Sequence, residues 1–549
     1  MAHALLKATV PMRCFLPSFI WPFLVSWFLL GGGAVVVQGQ EEEPPVDEEP
    51  AEEVEEPPPE PLEKLVFIEA HVDGVSGVDG LDGAYDMKLS SDGAFLYVAS
   101  MNDDAISIFS RDKETGALIF VSRTKNGENG VEGLKGARSL DLSPDGKNLY
   151  VVSMFDDALV SFSRDEFSGA LTYEGRIKDG EFGVDGLDGA RSISISPDGV
   201  NLYVAGWDDD ALALFSRDPS TGVVGFLGRV KNGEDGINAL DAPHFLTVAP
   251  DGKNIYVALW DEDAVSIYNR DLDTGLLTYN SKIVNEGRDA VDNVVSGLQG
   301  PRSALASPDG NQVYVVAWND DALTAFNRDE TGALEFVSTQ QTGIDGVEGL
   351  DGAHSVAMSA DGKFLYVAAF FDDAITVLSR DVDTGELVYD QSIFNTEEGV
   401  EGLNGTLTVM ASPDGEHVYS TSISEKSLVV FRREIIIDPP VFTVEPLSKS
   451  IPANSSVSFN ALAEGIDVVY QWKADGIDVA GANDPTLVID PVSFGLGGTA
   501  YTVAASNDGG TVISADAVLT VLPEITLETS GADCVDAVEQ HCVDRMARY

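Results

Sequence analysis

At 549 residues the chain is longer than one ordinary domain, and 44% apolar residues are enough to fill real cores. A formal charge of −58 speaks against nucleic acid as a partner, because holding phosphates takes basic patches. Three cysteines, Cys14, Cys534 and Cys542, give no CxxC metal pair and no disulfide framework for the main domains.

The N-terminus has a character of its own. Lys7 and Arg13 precede an apolar run over residues 15–37, which ends in small residues. Residues 1–39 therefore read as a secretory signal with Val37-Gln38-Gly39 at the cut, and an uncleaved membrane anchor is the alternative. Residues 40–63 are almost wholly Glu, Asp and Pro, which predicts an extended linker that buries nothing. The expected location is secreted or at the cell surface, periplasmic where the host has an outer membrane.

A repeat follows. A Ser/Ala-x-Asp-Gly turn recurs with its Asp at 92, 145, 198, 251, 309, 361 and 414, a spacing of 53, 53, 53, 58, 52 and 53. Within one unit, residues 191–196 alternate as a strand, Pro197-Asp198-Gly199 turns, and residues 201–206 form a second strand. Asp208-Asp209-Asp210 turns again, 212–216 is a third strand, and 223–230 a fourth. Period-2 alternation between Gly, Pro and Asp clusters is the signature of strands and turns. Four strands per unit, seven times, predict an all-β seven-bladed β-propeller over residues 64–433. The phase of the repeat adds a detail. Residues 64–74 align with 170–180, the fourth strand of a unit, while the repeat ends on a third strand at 427–431. The N-terminal strand is thus expected to close the last blade.

A meander puts the second turn and the long loop between blades on one face, the top. The second turn carries acidic pairs in six blades, from Asp103-Asp104 to Asp372-Asp373, and Glu425-Lys426 in the seventh. A bulky residue precedes each pair: Met101, Met154, Trp207, Trp260, Trp318, Phe370 and Ile423. One per blade reads as packing. First strands open with a cation in five blades, Arg138, Arg191, His244, Arg302 and His354, with Tyr85 and Leu407 in the others. These cations are candidates for a ring at the channel mouth. One reading is an anion site for a carboxylate or phosphate. The simpler reading pairs each cation with a second-turn Asp; blade seven, lacking both, agrees with it.

Asp185, Asp188, Asp345, Glu348 and Asp351, in Gly-rich top loops, are candidates for Ca²⁺, though no known loop spacing fits them. The loop at 285–300 is five residues longer than its counterparts and could cover part of the top face. The recurring Ser-Arg-Asp at the third turn reads as turn chemistry. No GxSxG, HExxH or P-loop is present.

The units Ser143-Pro-Asp-Gly-Lys-Asn-Leu-Tyr-Val-Val152 and Ser196-Pro-Asp-Gly-Val-Asn-Leu-Tyr-Val-Ala205 resemble the lactonase-type seven-bladed propellers, with their 6-phosphogluconolactonase-like, carboxymuconate-cyclase-like and YVTN-repeat relatives. The resemblance implies a site of Arg, His and Glu at the channel mouth, and the five cations above are the nearest matches. Residues 438–522 resemble a bacterial immunoglobulin-like (Ig-like) β-sandwich: Val469-Tyr-Gln-Trp-Lys473 as the strand with the buried Trp, Tyr501 as the tyrosine corner, Val503 where a second Cys often stands. Residues 523–549 form a tail. Two functions follow as expectations. One is a secreted or surface binding and scaffolding protein for an extracellular ligand, polysaccharide or protein, touching membrane only through an uncleaved N-terminus. The other is a lactone hydrolase with its site at the top of the channel.

Overall fold

The computed structural model describes residues 62–523, apart from 398. The signal, most of the linker and the tail with Cys534 and Cys542 lie outside the described residues. Seven four-stranded antiparallel sheets follow one another, each a meander from inner to outer strand. The inner strands are Ala84–Leu89, Ala137–Leu142, Ala190–Ile195, Pro243–Val248, Pro301–Ala306, Ala353–Met358 and Thr406–Ala411, which open blades 1 to 7. The second strands, such as Asn201–Gly206, are buried throughout, as expected of sheets packed on both faces. Each apolar cluster straddles two blades: Leu134 and Val151 of blade 2 pack with Ile106 and Ile108 of blade 1.

The strand Leu62–Val72 pairs antiparallel with Ser427–Ile436 and completes blade 7, as the phase of the repeat predicts. It begins two residues earlier than expected, and one of them matters. Glu63, read from sequence as linker, is 2% exposed. Arg433 Nη2 and Nε donate to its carboxylate at 2.6 and 3.0 Å, and the Tyr366 hydroxyl of blade 6 donates to its other oxygen.

That contact is added to a tie used in every blade, which in Arg433 is stretched to 4.0 Å from Asp361. The Arg of each Ser/Asn-Arg-Asp turn reaches back to the preceding blade and to the Asp of its Ser/Ala-x-Asp-Gly turn: Arg217 to Asp145 at 2.8 Å, Arg270 to Asp198 at 2.7 Å, Arg380 to Asp309 at 2.8 Å. Arg111 closes the circle on Asp414 at 2.7 Å. The same arginines donate to a buried Tyr hydroxyl next door, as Arg217 does to Tyr150. The Asp that follows does turn chemistry; Asp112 accepts the amides of Glu114 and Thr115. The Arg is an inter-blade tie that the sequence reading missed.

The top face has its own stitches. The first acid of each second turn accepts an amide of the loop leading into its own blade: Asp82 N to Asp103, Lys135 N to Asp156, Asp188 N to Asp209, and so on through all seven blades. The second acid, at positive φ, accepts an amide from the next blade: Gly136 N to Asp104, Gly189 N to Asp157, Gly405 N to Asp373. In blade 7 that position is Lys426, whose Nζ donates to Asp82 of blade 1 at 2.6 Å. The missing acid in blade 7 is thus the closing stitch of the ring. The long loop at 285–300 docks sideways: Asp289 accepts the amide of Phe336 in the outer strand Leu334–Gln341.

Beyond the propeller, residues 441–522 form short strands around a separate core, compatible with the Ig-like expectation. Trp472 is fully buried, donates Nε1 to the Asp484 carbonyl at 2.9 Å, and pairs in register with Val503. Tyr501 stacks on Phe459 with centroids 5.0 Å apart.

Removing one partner of a buried ion pair leaves the other charge stranded, at a cost of about 3 kcal/mol or more. Glu63→Ala should lower the urea midpoint of propeller unfolding by that equivalent. An unchanged midpoint would show that the N-terminal strand closes the ring without this contact.

Candidate functional site

The inner strands share one irregularity. In blade 1, Ala84 pairs with Ser100 and Asp86 with Ala99, so Tyr85 is left over between them. The same break leaves Arg138, Arg191, His244, Arg302, His354 and Leu407 unpaired in the other blades. A β-bulge re-aims a side chain out of the regular alternation. Seven bulges stand at one level, and the side chains of six of them, all but Leu407, line the axial cavity.

There they interlock. Arg138 Nη2 donates to the Tyr85 hydroxyl at 2.6 Å and lies 3.1 Å from His244 Nε2. Arg302 Nη1 lies 2.7 Å from the same His244 Nε2. The Tyr85 hydroxyl is 3.1 Å from His354 Nε2. His244 Nδ1 faces the Arg302 carbonyl and His354 Nδ1 the Leu407 carbonyl, both at 2.9 Å. A carbonyl can only accept, so each Nδ1 carries the proton and each Nε2 is the acceptor. Both imidazoles are neutral: burial first, then the positive charge of Arg302 and Arg138, holds their pKa well below the usual value.

The structure brings together all five cations that the sequence singled out, but it does not pair them with carboxylates. Among the described residues, Arg138, Arg191 and Arg302 form no ion pair. The reason lies in the stitches above: the second-turn acids are already committed to backbone amides. The guanidiniums rest on aromatic faces instead. Arg138 lies 4.0 Å from the Tyr85 centroid, Arg191 3.5 Å from that of Trp207, and Arg302 4.0 and 4.6 Å from those of Trp260 and Trp318. The bulky second-turn residues, expected to be packing, serve here as cation platforms. Nε of Arg191 and of Arg302 is buried with no acceptor among the described residues. Burial, with the neighbouring Arg138, pushes Arg191 down to about 9. Burial lowers Arg302 to about 10 and Arg138 likewise below its ordinary value. An uncompensated cationic cluster of this kind favours an anion.

The ring heads a cavity of about 420 Å³ that runs down the inner strands to Pro413, in a first turn on the opposite face. Three charged groups stand in its wall. Lys88 Nζ meets Asp141 at 2.9 Å, and Asp86 accepts from Ser139 Oγ and from the Leu140 and Met87 amides. Sequence reasoning missed these three. The signal available was that positions silent elsewhere in the repeat are charged in blades 1 and 2.

The candidate Ca²⁺ residues are scattered. Asp185 groups with Asp179 and Asp209, with carboxylate oxygens within 4.8 Å of one another. Asp185 is bound to Arg229 at 2.7 Å and Asp209 to Lys231 at 2.9 Å, so cations of the protein already hold this group. Asp188, Asp345, Glu348 and Asp351 enter no such group among the described residues. A second cluster, Asp73, Asp79 and Asp103, was not anticipated and is likewise paired, with Arg123 and Lys125.

The family described as "Lactonase, 7-bladed beta-propeller" matches residues 62–184, 136–291 and 286–435. The chain belongs to the lactonase family of seven-bladed β-propellers. It is similar to the 6-phosphogluconolactonase of Klebsiella pneumoniae (strain 342), at 23% identity over 267 residues, covering 48% of this chain and 72% of that one. Among solved structures, the periplasmic gluconolactonase of Pseudomonas aeruginosa matches with a TM-score of 0.46 and 21% identity, over 60% of this chain and 87% of that one. The hydrazine synthase of Kuenenia stuttgartiensis matches with 0.47 and 18%, over 66% and 99%. Neither structural likeness bears on function.

In this lactonase-family propeller the two neutral histidines give a pH test. Their pKa is lower folded than unfolded, so between the two values the unfolded chain binds more protons. Their contribution to stability is full above about pH 6.5 and is lost as pH falls below it. Melting temperature should therefore drop from pH 6.5 to 5, and His244→Gln/His354→Gln should flatten that slope. A slope unchanged in the double variant would show that these imidazoles do not stay neutral.

Proposed function

We propose that this chain is a lactone hydrolase acting at the ring of Tyr85, Arg138, Arg191, His244, Arg302 and His354. The observation that carries the reading is the set of three guanidiniums left without a carboxylate. Hydrolysis of a lactone turns a neutral carbonyl into an oxyanion and then into a carboxylate, and such a ring favours both over the starting ester. The family membership and the likeness to the 6-phosphogluconolactonase of Klebsiella pneumoniae support the same reading.

The roles follow from the geometry. Arg191 and Arg302, half-buried on their Trp platforms, hold the carbonyl oxygen and later the product carboxylate. His354 Nε2, through the Tyr85 hydroxyl, takes the proton of the attacking water. The water oxygen bonds to the carbonyl carbon, the ring C–O bond breaks, and the leaving alkoxide receives the proton from the same pair. Arg138 fixes the Tyr85 hydroxyl, and His244 clamps Arg138 to Arg302. The broken symmetry supports a site as well: the bulged position reads Tyr, Arg, Arg, His, Arg, His, Leu, whereas the stitches beside it recur nearly unchanged. The signal-like residues 1–39 extend the proposal to an enzyme exported from the cytoplasm.

A second reading keeps the ring as an anion-binding site without turnover, in a surface binding protein. One observation favours it: both Nε2 lone pairs are already engaged, His244 by two arginines and His354 by Tyr85.

Hydrolysis of a small lactone panel, followed by acid release at pH 7.5, separates the two. The enzyme reading expects turnover above buffer for at least one lactone. It also expects a loss in kcat/KM of about 100-fold in Arg302→Ala and in His354→Gln. Carboxylate binding with rates equal to buffer across the panel would leave the binding reading standing and end the enzymatic one.

A further inference from the structure

The ring is a ceiling rather than an open mouth, and what lies beneath it differs from one side to the other. Tyr85 of blade 1 meets His354 of blade 6, Arg138 of blade 2 meets His244 of blade 4, and the two imidazoles stand 6.0 Å apart. With the Arg138–Tyr85 bond, these contacts link blades 1, 2, 4 and 6 in a closed circuit around the axis. The cavity below takes in residues down to Leu89, Ala411 and Pro413, at the first-turn face, and none of the Trp platforms above the ring. Below the bulges alternation resumes: Leu246, Ala304, Val356 and Val409 turn into the blade cores, and their neighbours face the lumen. On blades 4 to 7 those neighbours are Phe245, Ser303, Ser355 and Thr408 just below the ring and Thr247, Leu305, Ala357 and Met410 deeper, so that blades 5 to 7 carry three apolar residues in a row at the deeper level. On blades 1 and 2 they are Asp86, Lys88, Ser139 and Asp141, and blade 3 adds Ser194.

We infer that the lumen is a second part of the binding site, entered from the first-turn face. It takes an apolar body whose oxygen-bearing head lies under the ring. The inference rests on the anion reading of the ring and deepens it by naming the ligand class: a lactone or monocarboxylate with an alkyl or carbocyclic body. Charge complementarity selects this class. Lys88 is neutralised by Asp141, so the remaining carboxylate, Asp86, stands against any second anionic group below the ring. Past Ser303, Ser355 and Thr408, the deeper level of Leu305, Ala357 and Met410 would leave the far hydroxyls of a polyhydroxylated body without partners on that side. A cavity of about 420 Å³ has room for a head group and a short chain of carbons.

Calorimetric titration of the purified chain with acetate, octanoate and gluconate at pH 7 tests this, since the three share a carboxylate and differ in their body. Octanoate should bind at least tenfold tighter than either of the others. Leu305→Asn and Met410→Asn, each placing an amide in the apolar wall without filling the lumen, should each weaken octanoate at least fivefold and leave acetate within twofold. Circular dichroism would establish that both variants fold. Gluconate binding as tightly as octanoate, or both variants binding octanoate as the parent does, overturns the inference while the ring reading stands. Arg302→Ala weakening acetate and octanoate alike supports the ring. Acetate and octanoate binding unchanged in Arg302→Ala, or no binding of any of the three, counts against ring and lumen together.

Discussion

Six of the seven blade junctions on the top face depend on one kind of hydrogen bond, a second-turn carboxylate accepting a backbone amide. In blades 1 to 6 two such bonds, one within the blade and one to the next, hold the loops that precede the inner strands; blade 7 has the first and meets blade 1 through Lys426. A carboxylate bound to an amide is a stronger acceptor than a neutral group, and its place is fixed by the turn that carries it. Because these acids are spent on the scaffold, none remains for the arginines a few ångströms inward. The scaffold and the site are therefore one electrostatic arrangement. A chain with a charge of −58 contains, at its axis, three guanidiniums that pair with no carboxylate among the described residues.

Ring closure follows the same economy of means. The blades are tied on the lower face by an Arg and the Asp of the preceding blade. The seventh, which must be completed by a strand from the other end of the chain, holds that Asp361 at 4.0 Å and gives its closest contact to Glu63. On the upper face the corresponding exception is Lys426, which meets Asp82 of blade 1. The departures from the repeat in blade 7 are thus accounted for by closure. Those in the bulged position are not, and these are the residues gathered at the axis.

Much of this was legible in the sequence. The Ser/Ala-x-Asp-Gly turn gave the number of blades, and the alignment of residues 64–74 with an outer strand gave the manner of closure. The five cations could be picked out because they stand at one repeated position in differing chemistry. Their environment was not legible. Pairing them with second-turn acids was reasonable from proximity, but a bulge turns each side chain inward and away from the acids, and a bulge has no residue signature of its own beyond a break in alternation. Glu63 was hidden for a different reason: a Glu at the end of a Glu/Pro-rich stretch looks like more linker, and only the partner Arg433, some 370 residues later, makes it a buried group. The arginines of the third turn look like part of their turn because tertiary ties across blades leave no local pattern.

The central claim is that the unpaired guanidiniums at the axis form an anion site. Bromide is a probe that assumes nothing about the ligand, and its anomalous scattering locates it directly in a crystal of the chain. The account predicts a bromide within hydrogen-bonding distance of the guanidiniums of Arg191 or Arg302. Bromide bound only at exposed lysines and arginines of the outer strands, with none at the axis, would contradict it.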